Sequence, residues 1–316
     1  MAAAPRISVV VPTRGRETRL AFALEALAAQ TLDAEDFEVL VVRDGGTPAR
    51  AAGPVEGLDV RFLERVPRGG PAAARNVGWR AARAPLVAFT DDDCRPAAGW
   101  LEALLAAAGG DEALVQGRTE PDPDERHLLG GLARTQIVEA PTGWYETCNV
   151  AYPRALLERL GGFDEGYTRA GGEDTDIALR ALEAGARAIF EPRALVWHAV
   201  HPRHLPEALR ETLRWGANPR LLARHPGLRG ALPLGMFWKS SHARLLLALA
   251  GVALLRRTSL AALLTLPYLQ LHARAYDRSA RGLARAALDL PSQTAVDALE
   301  VGVTGAAAMR ERVVVL

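Results

Sequence analysis

Two periodicities alternate along the first ninety residues. The β-branched run Ile7 to Val11 stops at Pro12, and Phe37 to Val42, Val60 to Leu63 and Leu86 to Thr90 read as further strands. Between them, Glu17 to Gln30 carries Leu20, Ala23, Leu24 and Leu27 at helical spacing, and Ala72 to Ala82 predicts a second helix. Strands alternating with helices of this length predict an α/β fold with a mostly parallel, mixed sheet covered on both faces. In such sheets ligands bind beyond the carboxyl ends of the strands. The polar stretches Thr13-Arg14-Gly15-Arg16, Arg43-Asp44-Gly45-Gly46 and Asp91-Asp92-Asp93 all follow strand ends and would face one crevice.

After Gly117 the pattern becomes irregular and rich in Pro and Gly. A helix is predicted from Glu173 to Glu183, ended by Gly185, then a strand pair at Ala188 to Phe190 and Leu195 to Trp197. From Leu205 onward the chain reads as helical, which divides it into an α/β domain over 1–204 and a helical C-terminal region over 205–316. That region holds two apolar runs, Ala243 to Leu255 and Ser259 to Leu271, separated by Arg256-Arg257. Each falls short of the ~20 apolar residues a spanning helix needs. Either the hairpin over 243–271 is buried in a helical subdomain, or it lies in a membrane surface, flanked by Trp238, Lys239, Arg244 and Tyr268.

Composition narrows the partners more than the fold. A hydrophobic fraction of 49% and a charged fraction of 24% describe an ordinary folded protein. The net charge of +1 gives a nucleic-acid partner no electrostatic support. Lys239 is the sole lysine, so arginine carries nearly all the positive charge. Cys94 and Cys148 have no metal-ligand spacing and suggest no disulfide scaffold. The apolar stretch after Arg6 is too short for a signal peptide, so a cytoplasmic catalytic part at the inner face of the membrane is expected.

The chemistry concentrates where the run Leu86 to Thr90 ends in three carboxylates. Three adjacent anions repel one another unless a cation neutralises them, and a hard divalent metal bound to phosphate oxygens suits such an oxygen cluster. The alternative is a solvated acidic turn capping a helix that begins near Pro96. Glu173-Asp174-Thr175-Asp176 opens a helix after Gly171-Gly172. Acids there complement the helix dipole, but capping leaves the two glycines unexplained.

Three segments, in this order and spacing, resemble the inverting glycosyltransferases of family 2, which have the GT-A fold. They are Ser8 to Arg16, then Gly70-Pro71-Ala72-Ala73-Ala74-Arg75-Asn76-Val77-Gly78 with the Asp91 cluster, and finally Gly161-Gly162-Phe163-Asp164-Glu165 with Gly171 to Ile177. The resemblance covers about residues 6 to 200 and implies a Rossmann-like nucleotide-sugar-binding domain. It implies that Asp93 holds Mn²⁺ or Mg²⁺, that Asp91 and Asp92 contact ribose or the metal's surroundings, with Asp91 a further candidate ligand, and that His198 completes the metal site. His201 and His204 stand close by as alternatives. The metal would stabilise a departing diphosphate by several kcal/mol.

By the same resemblance Asp174 is the general base, with Glu173 assisting, and Trp144, Tyr145 and Asn149 face the acceptor. Pro12, Thr13, Arg14, Arg16, Asp44 and Arg75 are carried over as donor-binding residues. One departure stands out: Arg43 occupies a position where relatives carry an acid that reads the base, which leaves Asp44 to serve instead. A competing resemblance, the Asp-x-Asp of haloacid-dehalogenase phosphatases, lacks its Thr, because Cys94 and Arg95 follow Asp93 deep in the chain.

The expected activity is transfer of a sugar from a nucleotide-diphosphate donor to a hydroxyl of a saccharide or lipid-linked acceptor, in cell-surface glycan synthesis. The alternatives are transfer to a polyprenyl phosphate and a catalytically inactive nucleotide-sugar-binding subunit.

Overall fold

The computed structural model describes residues 4–45, 57–109, 112–274 and 276–316. It contains two compact units: one runs to His127 and resumes over Thr135–Val200, and the other joins Leu128–Arg134 to His201–Leu316.

The first unit is built on one eight-stranded sheet: β1 (Ile7–Thr13), β2 (Phe37–Asp44), β3 (Val60–Arg65), β4 (Leu86–Thr90), β5 (Cys94–Pro96), β6 (Ala113–Pro121), β7 (Asn149–Pro153) and β8 (Arg187–His198). Their order across the sheet is β3-β2-β1-β4-β7-β6-β8-β5. The first four are parallel, β7 pairs antiparallel with both β4 and β6, and β8 runs parallel to β6 and antiparallel to β5. The parallel half is the sheet expected from the alternating pattern.

Strand alternation assigns β1 to two cores at once. Ile7, Val9 and Val11 pack with Leu20, Leu24 and Leu27 of α1 (Glu17–Ala28) and with Trp100, Leu101 and Leu104 of α3 (Trp100–Ala108). Val10 points the other way, to α2 (Pro71–Ala81), α4 (Arg154–Leu160) and α5 (Glu173–Glu183) through Ala74, Trp79, Leu156 and Ile177. Both faces are therefore dry, and β1 reads as a continuous apolar run. Helix α2 sits unusually close: a Cβ on Gly78 would lie 2.3 Å from Val10 Cγ1, so only glycine fits there.

Asn76, on the same helix, ties two of the sequence segments together. Its side-chain amide donates to the Phe163 carbonyl and to Glu165 Oε1, both at 2.9 Å, while its oxygen accepts from Phe163 N–H and Trp79 Nε1. The Gly161–Glu165 turn is thereby fixed against α2.

Two expected elements differ from the observed ones. The helix expected near Pro96 begins instead at Trp100, because Cys94–Pro96 finds a partner in Val196–His198 and becomes β5. The expected strand pair around 188–197 is a single strand, β8. Its pairing with β6 shifts register between Gly117 and Arg118, where Glu191 folds back onto Arg193.

The second unit contains α6 (Leu205–Glu211), α7 (Asn218–Arg224), α8 (Ser240–Leu254), α9 (Leu266–Ala273) and the long α10 (Ala280–Glu311). A buried polar network fastens α8, α9 and α10. Glu300 accepts from Lys239 Nζ at 2.7 Å and faces His242 Nε2 at 3.1 Å, while Asp297 accepts from Ser241 and Tyr268 and faces His272 Nε2 at 3.2 Å. Buried carboxylates need such partners, and Lys239 supplies the permanent cation. The hairpin over 243–271 is buried on one face only: Leu245, Ala248 and Tyr268 form a small core, while Leu249, Val252, Leu260 and Leu263 are each more than half exposed. Among the described residues no helix is long and apolar enough to cross a membrane.

Candidate active site

The site forms where β1, β2 and β4 end. Two arginines and a threonine meet the three consecutive aspartates. Asp92 is fully buried and accepts from Thr13 Oγ1 at 2.6 Å, and Arg16 holds Asp92 and Asp93 together through its two terminal nitrogens. Asp91 accepts from Arg75 at 3.0 Å. Burial pushes the Asp92 carboxyl up to about 6; Arg16 and Thr13 pull it down, and Asp93 pushes it further up.

Arg75 is the hub of the site. It lies on α2 with 4% of its surface exposed, and its guanidinium also reaches Glu173 Oε1 at 3.1 Å and Asp174 Oδ1 at 3.3 Å. Burial opposes its charge, but Asp174, Asp91 and Glu173 more than offset that and hold it firmly protonated. Arg75, expected as a donor contact, meets three carboxylates through its two terminal nitrogens.

Glu173 and Asp174 open α5, and they differ sharply. Glu173 is buried, accepts from Gly171 N–H at 2.6 Å, and is held above the usual carboxylate range by burial and by repulsion from Asp174. Asp174 keeps about a quarter of its side chain exposed (23%) and accepts from Thr147 N–H at 3.0 Å. The turn before the helix requires glycine at 172, where φ is +92° and a Cβ would press on the Tyr167 ring. Asp176 is tied up by Arg180 on the next turn of α5.

Asp93, Cys94 and His198 come together at the end of β8. His198 Nδ1 lies 2.8 Å from the Ala199 carbonyl, so that nitrogen carries the proton and donates. Its Nε2 then faces Asp93 Oδ1 at 3.8 Å, a separation across which both atoms could ligate one cation. A carboxylate and an imidazole suit Mn²⁺ or Mg²⁺ chemistry. The Cys94 thiol is buried with its ionisation pushed well up, and as a soft donor it suits a hard oxygen-loving ion poorly. Asp91 stands outside this group, held by Arg75. His201 and His204 belong to the other unit.

A cavity of about 520 Å³ is lined by Arg14, from the loop after β1, and by Arg68, Gly69, Gly70, Thr168 and Arg169. Asp44 braces its wall, accepting from Gly69 and Gly70 N–H at 2.8 Å each. Arg68, Thr168 and Arg169 escaped sequence reasoning; only the density of arginine signalled them. Arg43 points away toward Glu64 and the Phe62 ring. Pro12 is in β1, one residue before the Thr13 that holds Asp92.

Trp144 and Tyr145 cover the start of α5, where the Trp144 carbonyl accepts from Thr175 Oγ1 at 2.8 Å. Glu146, also overlooked, is held by Gln116 at 2.9 Å, and burial raises its carboxyl. Asn149 corrects an expectation. It is fully buried, donates to the Arg118 and Ala194 carbonyls and accepts from Trp100 Nε1, so it braces the core and has no surface to offer an acceptor.

Comparison with known proteins agrees with this geometry. The sequence model described as glycosyl transferase family 2 matches residues 8–159, and that of glycosyl transferase family group 2 matches 124–274. The chain is 33% identical to the pre-mycofactocin glycosyltransferase of Mycobacterium tuberculosis over 242 residues, 70% of this chain and 48% of that one. It is 30% identical to the validoxylamine A glucosyltransferase of Streptomyces hygroscopicus subsp. limoneus over 273 residues, 74% and 59% respectively. It thus spans about half to three-fifths of these relatives' lengths.

In fold it resembles a mannosyltransferase of Pyrobaculum calidifontis solved with GDP-Man and Mn²⁺, with a TM-score of 0.58, 22% identity, and coverage of 97% of this chain and 88% of that one. It also resembles residues 1–349 of S. aureus TarS solved with UDP, with a TM-score of 0.51, 18% identity and coverage of 97% and 91%. The chain belongs to the family 2 glycosyltransferases, with a GT-A fold.

Proposed function

We propose that the chain is a metal-dependent inverting glycosyltransferase, moving a sugar from a nucleoside-diphosphate donor to a hydroxyl of a saccharide or lipid-linked acceptor. The observation that carries this is the pairing of two carboxylate groups through one guanidinium. Arg75 joins Asp91, at the acidic strand end, to Asp174, at the start of α5. Two carboxylate sites with different partners and exposure suit two different tasks.

Asp93 and His198 would hold the divalent ion, which when bound offsets charge on the departing diphosphate. The arginines at 14, 68 and 169 give the cavity the positive charge a diphosphate needs. Arg75 and Thr147 N–H orient the Asp174 carboxylate, whose remaining lone pairs accept the proton of the acceptor hydroxyl. That hydroxyl oxygen attacks the anomeric carbon, the bond to the diphosphate oxygen breaks on the opposite side, and configuration inverts.

A thermal-shift series with UDP-, GDP- and dTDP-sugars and Mn²⁺ tests the donor site. A ligand at a hundred times its Kd adds about 2.7 kcal/mol, or roughly 5–10 °C in Tm. One donor class is expected to shift the wild type, and Asp93→Ala to abolish most of that shift. A wild-type response retained in Asp93→Ala would overturn the site.

The acceptor side of the proposal includes a membrane surface. The exposed leucines of the 243–271 hairpin, with Arg244, Arg256 and Arg257, suit an anionic lipid interface. The full chain is expected to float with phosphatidylglycerol vesicles, and Leu260→Asp with Leu263→Asp to weaken this at least tenfold. Absence of flotation on any anionic vesicle would sink the membrane contact.

A further inference from the structure

The three aspartates are neutralised by two arginines of different kinds. Arg75, on Asp91, is enclosed in α2 and shared with two further carboxylates. Arg16, on Asp92 and Asp93, comes from the loop after β1. Its side chain is 43% exposed, whereas those of Asp92 and Asp93 are 0% and 2% exposed. Arg16 is the N-cap of α1 through its backbone carbonyl, but its side chain makes no capping hydrogen bond, and Gly15 before it has open space on its side-chain face. The guanidinium is therefore held by these two carboxylates and can leave into solvent without disturbing a helix.

From this geometry we infer that Arg16 is a resident counter-cation that competes with the divalent metal for Asp92 and Asp93. The inference rests on the metal reading given above. A guanidinium and a divalent ion on the same carboxylate repel strongly in a partly buried site. The metal's arrival thus requires Arg16 to swing off Asp93. Once displaced, its forked N–H groups need a new anion, and a diphosphate at the strand ends is one. A donor that occupies Arg16 removes the competitor, so metal and nucleoside diphosphate bind with positive coupling. Without either, Arg16 prevents two buried anions from facing each other unpaired.

Mn²⁺ titrations of the full chain, read by electron paramagnetic resonance of the free ion, test this with and without UDP or GDP. In Arg16→Met, Mn²⁺ alone is expected to bind at least tenfold more tightly than in wild type. The nucleotide-induced gain in Mn²⁺ affinity is expected to shrink by a similar factor. Arg16→Lys, which keeps the charge but not the fork, is expected to behave between the two and serves if the Met variant folds poorly. The metal-free Arg16→Met protein is expected to melt lower than wild type and to recover when Mn²⁺ is added. Equal or weaker Mn²⁺ binding in Arg16→Met, with wild-type binding abolished by Asp93→Ala, would overturn the competition while leaving the metal site intact. Absence of Mn²⁺ binding in the wild type, with or without nucleotide, would overturn the metal site and this inference together.

Discussion

Asp174→Asn is expected to lower the turnover of sugar transfer to a hydroxyl acceptor by roughly 10²–10⁴-fold, the usual contribution of a positioned general base. Donor affinity should change little. The substitution keeps the shape of the side chain, so an oxygen still accepts from Thr147 N–H, but an amide cannot take up the acceptor proton. Glu173→Gln provides the contrast. Glu173 is buried beneath Arg75 and Gly171 N–H, so it positions the neighbouring groups and should cost far less in turnover. The measurement is product formation under saturating donor, alongside calorimetric donor binding for both variants. Full activity in Asp174→Asn would remove Asp174 from the mechanism. It would also favour a polyprenyl-phosphate acceptor, whose oxygen is already ionised and needs no base.

The sequence made much of this site legible, because short-range patterns carried it. The apolar run Leu86 to Thr90 is β4, and the acids after it do lie at the carboxyl end of a parallel strand. Gly171-Gly172 does open a helix with Glu173 and Asp174 in its first turn. What could not be read is pairing between residues far apart in the chain. Arg16 and Asp93 are 77 positions apart, and Arg75 and Asp174 are 99. In a chain whose basic residues are nearly all arginine, no local signal separates these two from solvated ones. Asn149 misled for the same reason. It sits in a polar-aromatic stretch, yet its partners Arg118, Ala194 and Trp100 come from three other segments. Tertiary pairing likewise made Cys94–Pro96 a strand rather than a helix start.

Arg75→Met is expected to be the most destabilising single change in the first unit. Removing one partner from a buried ion cluster costs about 3–5 kcal/mol, a large part of the ~5–15 kcal/mol by which domains are stable. Methionine keeps contact with the Phe163 ring, over which the guanidinium sits at 5.9 Å, so the loss reports charge rather than volume. Its pH dependence follows from the carboxylates left behind. Glu173 already has its folded pKa raised by burial and by Asp174, so its contribution to stability is fully present below its unfolded pKa, about 4.3, and declines as pH rises. Without Arg75 that folded value climbs further, and ionised Asp91 and Asp174 lose their partner as well. The deficit relative to wild type should therefore grow from pH 5 toward pH 8, as Glu173 ionises without its counter-ion. Urea unfolding of both proteins at the two pH values measures it, and Arg75→Lys, which retains one cation, should recover part of the difference. An equal deficit at both pH values would mean that Arg75 acts through packing. A deficit that grows with pH would instead show that Arg75 acts through its charge on the buried Glu173 carboxyl.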